Sequence, residues 1–211
     1  MSTIMVMKPK NDKQSKPPLR ARDRILQTAH SLFYQEGIRA TGIDRIIATA
    51  GVTKVTFYRH FPSKNDLILA FLEFRHQLWM EWFSAELQRH GGHLEALIPT
   101  LKSWFESDGF RGCAFINSTG ELGTVLPQVL EMTCHHKRDM TELIQGLLPP
   151  SPNTDRDAQA IALAVDGAII HAQFEPSPET ALQNFGRILE LLGNAGNNQS
   201  QKLSKVESIG R

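Results

Sequence analysis

Between Thr53 and His60 the chain reads TKVTFYRH, and the residue types in that segment could recognise a polyanion. If Phe57, and Phe61 four residues on, face a small helical core, then Lys54, Val55, Tyr58 and Arg59 point away from it. Lysine and arginine donate to guanine edges, and a helix of two turns fits the major groove of B-DNA. Thr41, Thr53 and Lys64 fall at the N-termini of predicted helices. There, hydroxyls, backbone N–H groups and the helix dipole suit phosphate oxygens. On spacing alone, a solvated helix hairpin with ordinary surface charge fits the same residues.

Charge distribution favours the polyanion. The chain has 211 residues with 23 Lys+Arg against 22 Asp+Glu, a formal charge of only +1. Residues 1–64 hold 12 basic and 4 acidic side chains, whereas 65–211 hold 11 and 18. Opposite excesses in two segments imply two tasks. The first 18 residues, with Lys8, Lys10, Lys13 and Lys16, read as a flexible arm that either adds sequence-independent affinity for phosphate or merely aids solubility. At 41% hydrophobic residues the chain can bury a core. Its longest apolar stretch, Ala158 to Ala172, is interrupted by Asp166, so no membrane span is expected. No apolar signal segment follows the first lysines, and two cysteines make no disulfide framework, which suits the cytoplasm.

Apolar periodicity predicts an all-α chain of about nine helices and no strand. The first covers Arg20–Glu36, with Ile25, Leu26, Ala29, Leu32 and Phe33 on one stripe. The second covers Thr41–Ala50, with Thr41 as its cap, and Gly51-Val52 turns the chain into a third over Thr53–His60. Ser63, with Asp66 three residues on, starts a long fourth helix to Arg89. Later helices are predicted over His93–Ser107, bent or starting at Pro99, then Gly112–Leu122, Pro127–Leu148, Thr154–Phe174 and Glu179–Leu192. Three helices with a glycine turn before the third describe a helix-turn-helix. The expected organisation is an arm over 1–18, a helix-turn-helix domain over 19–64, a helical ligand-binding and dimerisation domain over 65–194, and a tail over 195–211.

Residues 20–70 resemble the N-terminal DNA-binding domain of the TetR family of transcriptional regulators. The resemblance is carried by AGVTKVTFYRHFPSK from Ala50 to Lys64, followed by Asp66-Leu67, and by RILQTAHSLFYQEGIRATGIDRIIATAGV upstream. It implies that Lys54, Val55 and Arg59 approach bases, and that Thr41, Thr53, Thr56, Tyr58, His60 and Lys64 hold phosphates. Gly42, which would also lie at the DNA, stands where the family commonly has a hydroxyl residue. Val55 stands where glycine or another small residue is common, and its methyls could meet a thymine methyl. The segments SWFESDGFRGCAFINSTGELG and AVDGAIIHAQ look like one of the family's recurrent C-terminal types. The resemblance implies a homodimeric repressor, released from a palindromic operator when a small effector binds the C-terminal domain.

Two sets of C-terminal residues are candidates for those roles. Ala158, Ala162, Val165 and Ile169, with Phe185, Ile188 and Leu192 on the last helix, are the expected dimer face, because small residues let helices approach closely. Trp79, Phe83, Trp104, Phe105, Phe115, Asn117, His136, Met140, His171 and Phe174 are the expected pocket for a hydrophobic or aromatic effector. Each of these taken singly also fits an ordinary core.

Cys113, next to Arg111 at a predicted helix start, allows the alternative of a thiol-based redox or electrophile sensor, or simply a small buried residue. Cys134-His135-His136 is not expected to bind metal, since adjacent side chains diverge on a helix. No catalytic motif or cofactor loop is found, so no enzyme and no cofactor are expected. The remaining alternative is a ligand-binding protein or enzyme with a non-essential basic domain.

Overall fold

The computed structural model describes residues 19–192, so the arm expected over 1–18 and the tail expected over 195–211 lie outside the described residues. Among the described residues every regular element is helical, and nine α-helices are present, as the periodicity predicts. They are α1 (Ala21–Glu36), α2 (Ile43–Ala50), α3 (Lys54–His60), α4 (Lys64–Arg89), α5 (Leu97–Phe105), α6 (Ala114–Leu122), α7 (Gln128–Gln145), α8 (Thr154–Phe174) and α9 (179–192). A 3-10 turn, Leu94–Ala96, precedes α5. Pro99 therefore falls in the first turn of α5, which begins at Leu97, where a missing N–H costs nothing.

The described residues form two compact units. One comprises the chain through Ala85 together with Ser107–Asp139, and the other comprises Glu86–Glu106 together with the chain from Met140. The first unit thus holds the three N-terminal helices, most of α4, all of α6 and most of α7.

Within that unit the apolar stripe of α1 (Ile25, Leu26, Ala29 and Phe33) is buried. Gly37 ends the helix at φ +89°, a conformation that L side chains rarely adopt. Phe33 meets Phe71 of α4 edge to face at 5.4 Å. Leu67, Ile68, Phe71 and Leu72 put one stripe of α4 into the same core. At the start of α4 the Ser63 hydroxyl accepts the Asp66 N–H at 3.1 Å and donates to its carboxylate at 2.6 Å, which satisfies one end-of-helix donor.

In the second unit Leu97, Leu101, Trp104 and Phe105 of α5 are buried. So are Met140 and Ile144 of α7, Ile161 and Val165 of α8, and Leu182 and Phe185 of α9. The seventh helix stops at Gln145 rather than Leu148, because Gly146 weakens the next turn and the prolines from 149 forbid its continuation.

Candidate nucleic-acid interface

Gly51 adopts a left-handed conformation at φ +63°, with its N–H on the Ala48 carbonyl, and turns the chain sharply between α2 and α3. The side chain of Thr53 then caps α3 by accepting the Thr56 N–H at 3.1 Å, and the two threonine hydroxyls share a 2.9 Å hydrogen bond. Phe57 and Phe61 are buried with rings 6.3 Å apart, and burying each such ring stabilises the small unit by roughly 2–3 kcal/mol. Fixing those two positions inward turns their helical complement outward. Thr53, Lys54, Val55, Tyr58 and Arg59 are all exposed, and Thr56 and His60 are half-buried at the flanks. Val55 stands out most, at 70% exposure, an apolar side chain left in water on a basic face.

Two expected contacts are placed differently. Gly42, exposed and extended, is the N-cap of α2, and no side chain caps that helix. Thr41, expected as the cap, is fully buried and donates to the Gly37 carbonyl at 2.8 Å, satisfying an acceptor beyond the end of α1. Lys64 is half-buried and its ammonium donates to the Ile38 carbonyl at 2.6 Å. Burial lowers the pKa of that amine, and the nearby Glu121 carboxylate opposes the shift. Both residues hold the turn between α1 and α2.

That turn is also held from α6, by a residue the sequence did not single out. The Glu121 carboxylate accepts the Ile38 N–H at 3.2 Å and the Arg39 N–H at 2.8 Å. Tyr34 donates to the Gly112 carbonyl at 3.0 Å and accepts the Arg111 N–H at 3.1 Å, while Gln35 donates to the Gly109 carbonyl at 2.9 Å. These bonds tie the C-terminal turn of α1 to α6 and the loop before it. No local pattern betrays Glu121, whose partners are backbone groups far away in sequence.

The expected effector residues fall into the two units. In the first, Trp79 stacks on Phe83 at 4.4 Å, Phe115 stacks on His136 at 3.8 Å, and Trp79 meets His136 at 5.0 Å. All four are buried. Burial, followed by Lys137 and then the nearby His76, Arg75 and His135, pushes the His136 pKa down to about 2, so the ring is neutral. Asn117 donates to the Arg111 carbonyl at 2.7 Å. In the second unit Trp104, Phe105 and Met140 are buried, whereas His171 pairs with Glu175 at 2.7 Å beside an exposed Phe174.

Of the residues expected at a dimer face, Ala158, Ala162, Val165, Ile169 and Phe185 are buried within the chain's own core. Only Ile188 and, in part, Leu192 meet solvent. The exposed apolar residues of α8 and α9 are instead Leu163, Ile170, Phe174, Ile188 and Leu191. Cys113 is the buried N-cap residue of α6, and Cys134 is exposed on α7. His135 also meets partners that the sequence did not suggest: Asp139 one turn on, and His76 from α4.

A basic and aromatic helix, turned outward from a three-helix core by a glycine turn, defines a helix-turn-helix protein of the all-α class. The family model of bacterial regulatory proteins of the tetR family matches residues 25–71. A TetR-family transcriptional regulator from Streptomyces coelicolor, SCO4454, is 31% identical, with 83% of this chain and 89% of that one aligned at a TM-score of 0.74. The chain belongs to the TetR family. The repressor ComR of Escherichia coli is 22% identical over 192 residues, 84% of this chain and 91% of that protein. The uncharacterised regulator YerO of Bacillus subtilis is 40% identical over 53 residues, which span 25% of this chain and only 18% of that protein. All three relatives are described as transcriptional regulators rather than enzymes. Among the described residues no helix is long and apolar enough to cross a membrane.

Proposed function

We propose that the chain is a sequence-specific DNA-binding transcriptional regulator, a homodimeric repressor that a small, mostly apolar effector releases from a palindromic operator. The observation that carries this is the exposure of Lys54, Val55, Tyr58 and Arg59 along one face of a helix whose opposite face, Phe57, is wholly buried. Lys54 and Arg59 are the base-reading donors, Val55 offers methyls to thymine, and Thr53, Thr56, Tyr58 and His60 fix phosphates. The likeness to ComR, a repressor by name, supports the sign of regulation.

The dimer face is the exposed stripe of Leu163, Gly167, Ile170 and Phe174 on α8, with Ile188 and Leu191 on α9. Leu163 is 75% and Phe174 66% exposed in the single chain, and helices with apolar residues on a second face need a second partner. A Cβ at Gly167 would meet nothing within 4 Å, so the centre of the stripe is open to a facing helix. A two-fold dimer of this kind presents two recognition helices to half-sites ~34–36 Å apart, or a multiple of that. The buried aromatic group of Trp79, Phe83, Phe115 and His136 is the effector-sensing region. It shares a compact unit with α1–α3, and α6, which carries Phe115, also carries Glu121.

The test is selection of duplexes from a random pool, followed by affinity measurement with Arg59→Ala and Lys54→Ala. Each loss is expected to cost ~1–3 kcal/mol against the selected site, about 5- to 150-fold, and less against random DNA, so that selectivity falls. Unchanged selectivity in both folded variants would overturn the assignment of α3 as the reading helix.

A further inference from the structure

His76, His135 and Asp139 stand together where α4 passes α7, and the DNA-binding reading makes no use of them. His135 and Asp139 are one helical turn apart on α7 and share a face. His76 Nε2 lies 3.3 Å from one carboxylate oxygen of Asp139, and His135 Nδ1 lies 3.3 Å from the other. The three donor atoms, one per residue, all lie within 4.8 Å of one another. We propose that these residues are a site for a divalent transition metal, bridging α4 to α7.

The distances fit that chemistry. Nitrogen and oxygen donors held at ~2.0–2.1 Å around a four-coordinate ion are ~3.3 Å apart. His76 Nε2 already has that separation from one Asp139 oxygen, and His135 Nδ1 has it from the other. The wider approaches close by adjustment of His135, whose side chain is 56% exposed, whereas that of His76 is only 13% exposed. The ring of His76 is held from behind. Its Nδ1 is 3.2 Å from Nδ1 of His136, and His136 is itself clamped by stacking on Phe115. When His76 Nδ1–H donates to that nitrogen, the Nε2 lone pair is directed at Asp139 and the space beside it, the tautomer that a ligating histidine needs.

Two imidazoles and one carboxylate select zinc, copper(II), nickel or cobalt, not magnesium or calcium, which take oxygen donors. Three protein donors leave a fourth position, and the exposure of His135 opens it to water or to a donor atom of a small ligand. The bound ion would cross-link two helices of the compact unit that contains α1–α3.

The experiment uses the untagged full-length chain, freed of metal with a chelator. Zinc is titrated by calorimetry and cobalt(II) by its visible d–d absorption, with thermal unfolding followed in parallel. Stoichiometric binding is expected, with the intensity of a four- or five-coordinate cobalt centre and a raised Tm. His135→Ala, a substitution at an exposed position, and Asp139→Asn should each weaken binding at least ~10-fold and abolish the rise in Tm. The double variant His90→Ala/His93→Ala should leave both unchanged. Absence of stoichiometric binding by the native chain would overturn the proposal and leave a hydrogen-bonded His–Asp–His cluster. So would binding that survives in both His135→Ala and Asp139→Asn. No DNA is needed, so the outcome is independent of the operator reading.

Discussion

His30 lies in the core of the DNA-binding unit, and its protonation offers a quantitative test of that core. The ring is buried between Phe71 and Phe74 of α4, at 5.8 and 5.4 Å, with Nε2 3.5 Å from the Arg75 guanidinium. Burial first, and then the positive charge of Arg75, lower its pKa from 6.5 to about 4. The unfolded chain therefore takes up a proton as the pH falls below 6.5, and the folded chain does not do so until about 4. The unfolded state binds more protons throughout that window, so stability falls as the pH falls, and the loss levels off below about 4. Between pH 7.0 and 5.5 this one group removes about 1 kcal/mol, and the full span is worth roughly 3 kcal/mol. Stopping at pH 5.5 keeps most carboxylates out of their own titration range. His30→Gln retains a side chain able to accept from Arg75 and removes the titration. Urea unfolding at the two pH values, at fixed protein concentration and with chelator present, should show a pH-dependent loss about 1 kcal/mol larger in the native chain than in the variant. Equal losses would show that His30 is not buried as a neutral ring against Arg75, and that α1 packs on α4 in some other way.

Glu121→Gln should weaken the hold of α6 on the α1–α2 turn, because a neutral amide accepts the Ile38 and Arg39 N–H groups less strongly. A loss of ~1–2 kcal/mol in stability is expected, and faster hydrogen exchange at those two amides would register it directly. Leu163→Arg or Phe174→Glu should convert the dimer to monomer in sedimentation and reduce operator affinity at nanomolar protein, while the helix content is retained. A variant that stays dimeric would move the interface off this stripe. Lys54→Met, which removes one positive charge from the exposed face of α3, should reduce the salt slope of DNA binding by up to about 0.9. Lys64→Met should change that slope less and cost stability instead, because the ammonium of Lys64 is held by the Ile38 carbonyl.

The order of the helices and the outward face of α3 were legible because both depend on local rules. Period 3.6 sets which residues of TKVTFYRH oppose Phe57, and Gly51 and Thr53 act within their own turns. Partnership between distant segments was not legible. In IALAVDGAII the alanines and Leu163 look alike as apolar letters, yet the chain buries Ala162, Val165 and Ala168 against itself and leaves Leu163 in water. The core takes Ile161 and Ile169 as readily as the alanines, so residue size does not tell which face of the helix stays exposed. Thr41 shows the same limit at shorter range. Its hydroxyl suits both a cap and the Gly37 carbonyl, and only the path of the chain between Gly37 and Gly42 decides between them.

The boundary between reader and sensor illustrates it at the longest range. The basic excess ends near Lys64, which invites a division of labour at that residue. The compact unit instead gathers α6 and most of α7 around the DNA-reading helices. Five hydrogen bonds, from Tyr34, Gln35, Ile38, Arg39 and Arg111, make that association specific rather than merely apolar. An effector or an ion that displaces α6 or α7 by even a fraction of an ångström therefore acts inside the unit that holds α3. Any such coupling is reciprocal: whatever reduces operator affinity by a given factor is itself bound more weakly by that factor on the operator.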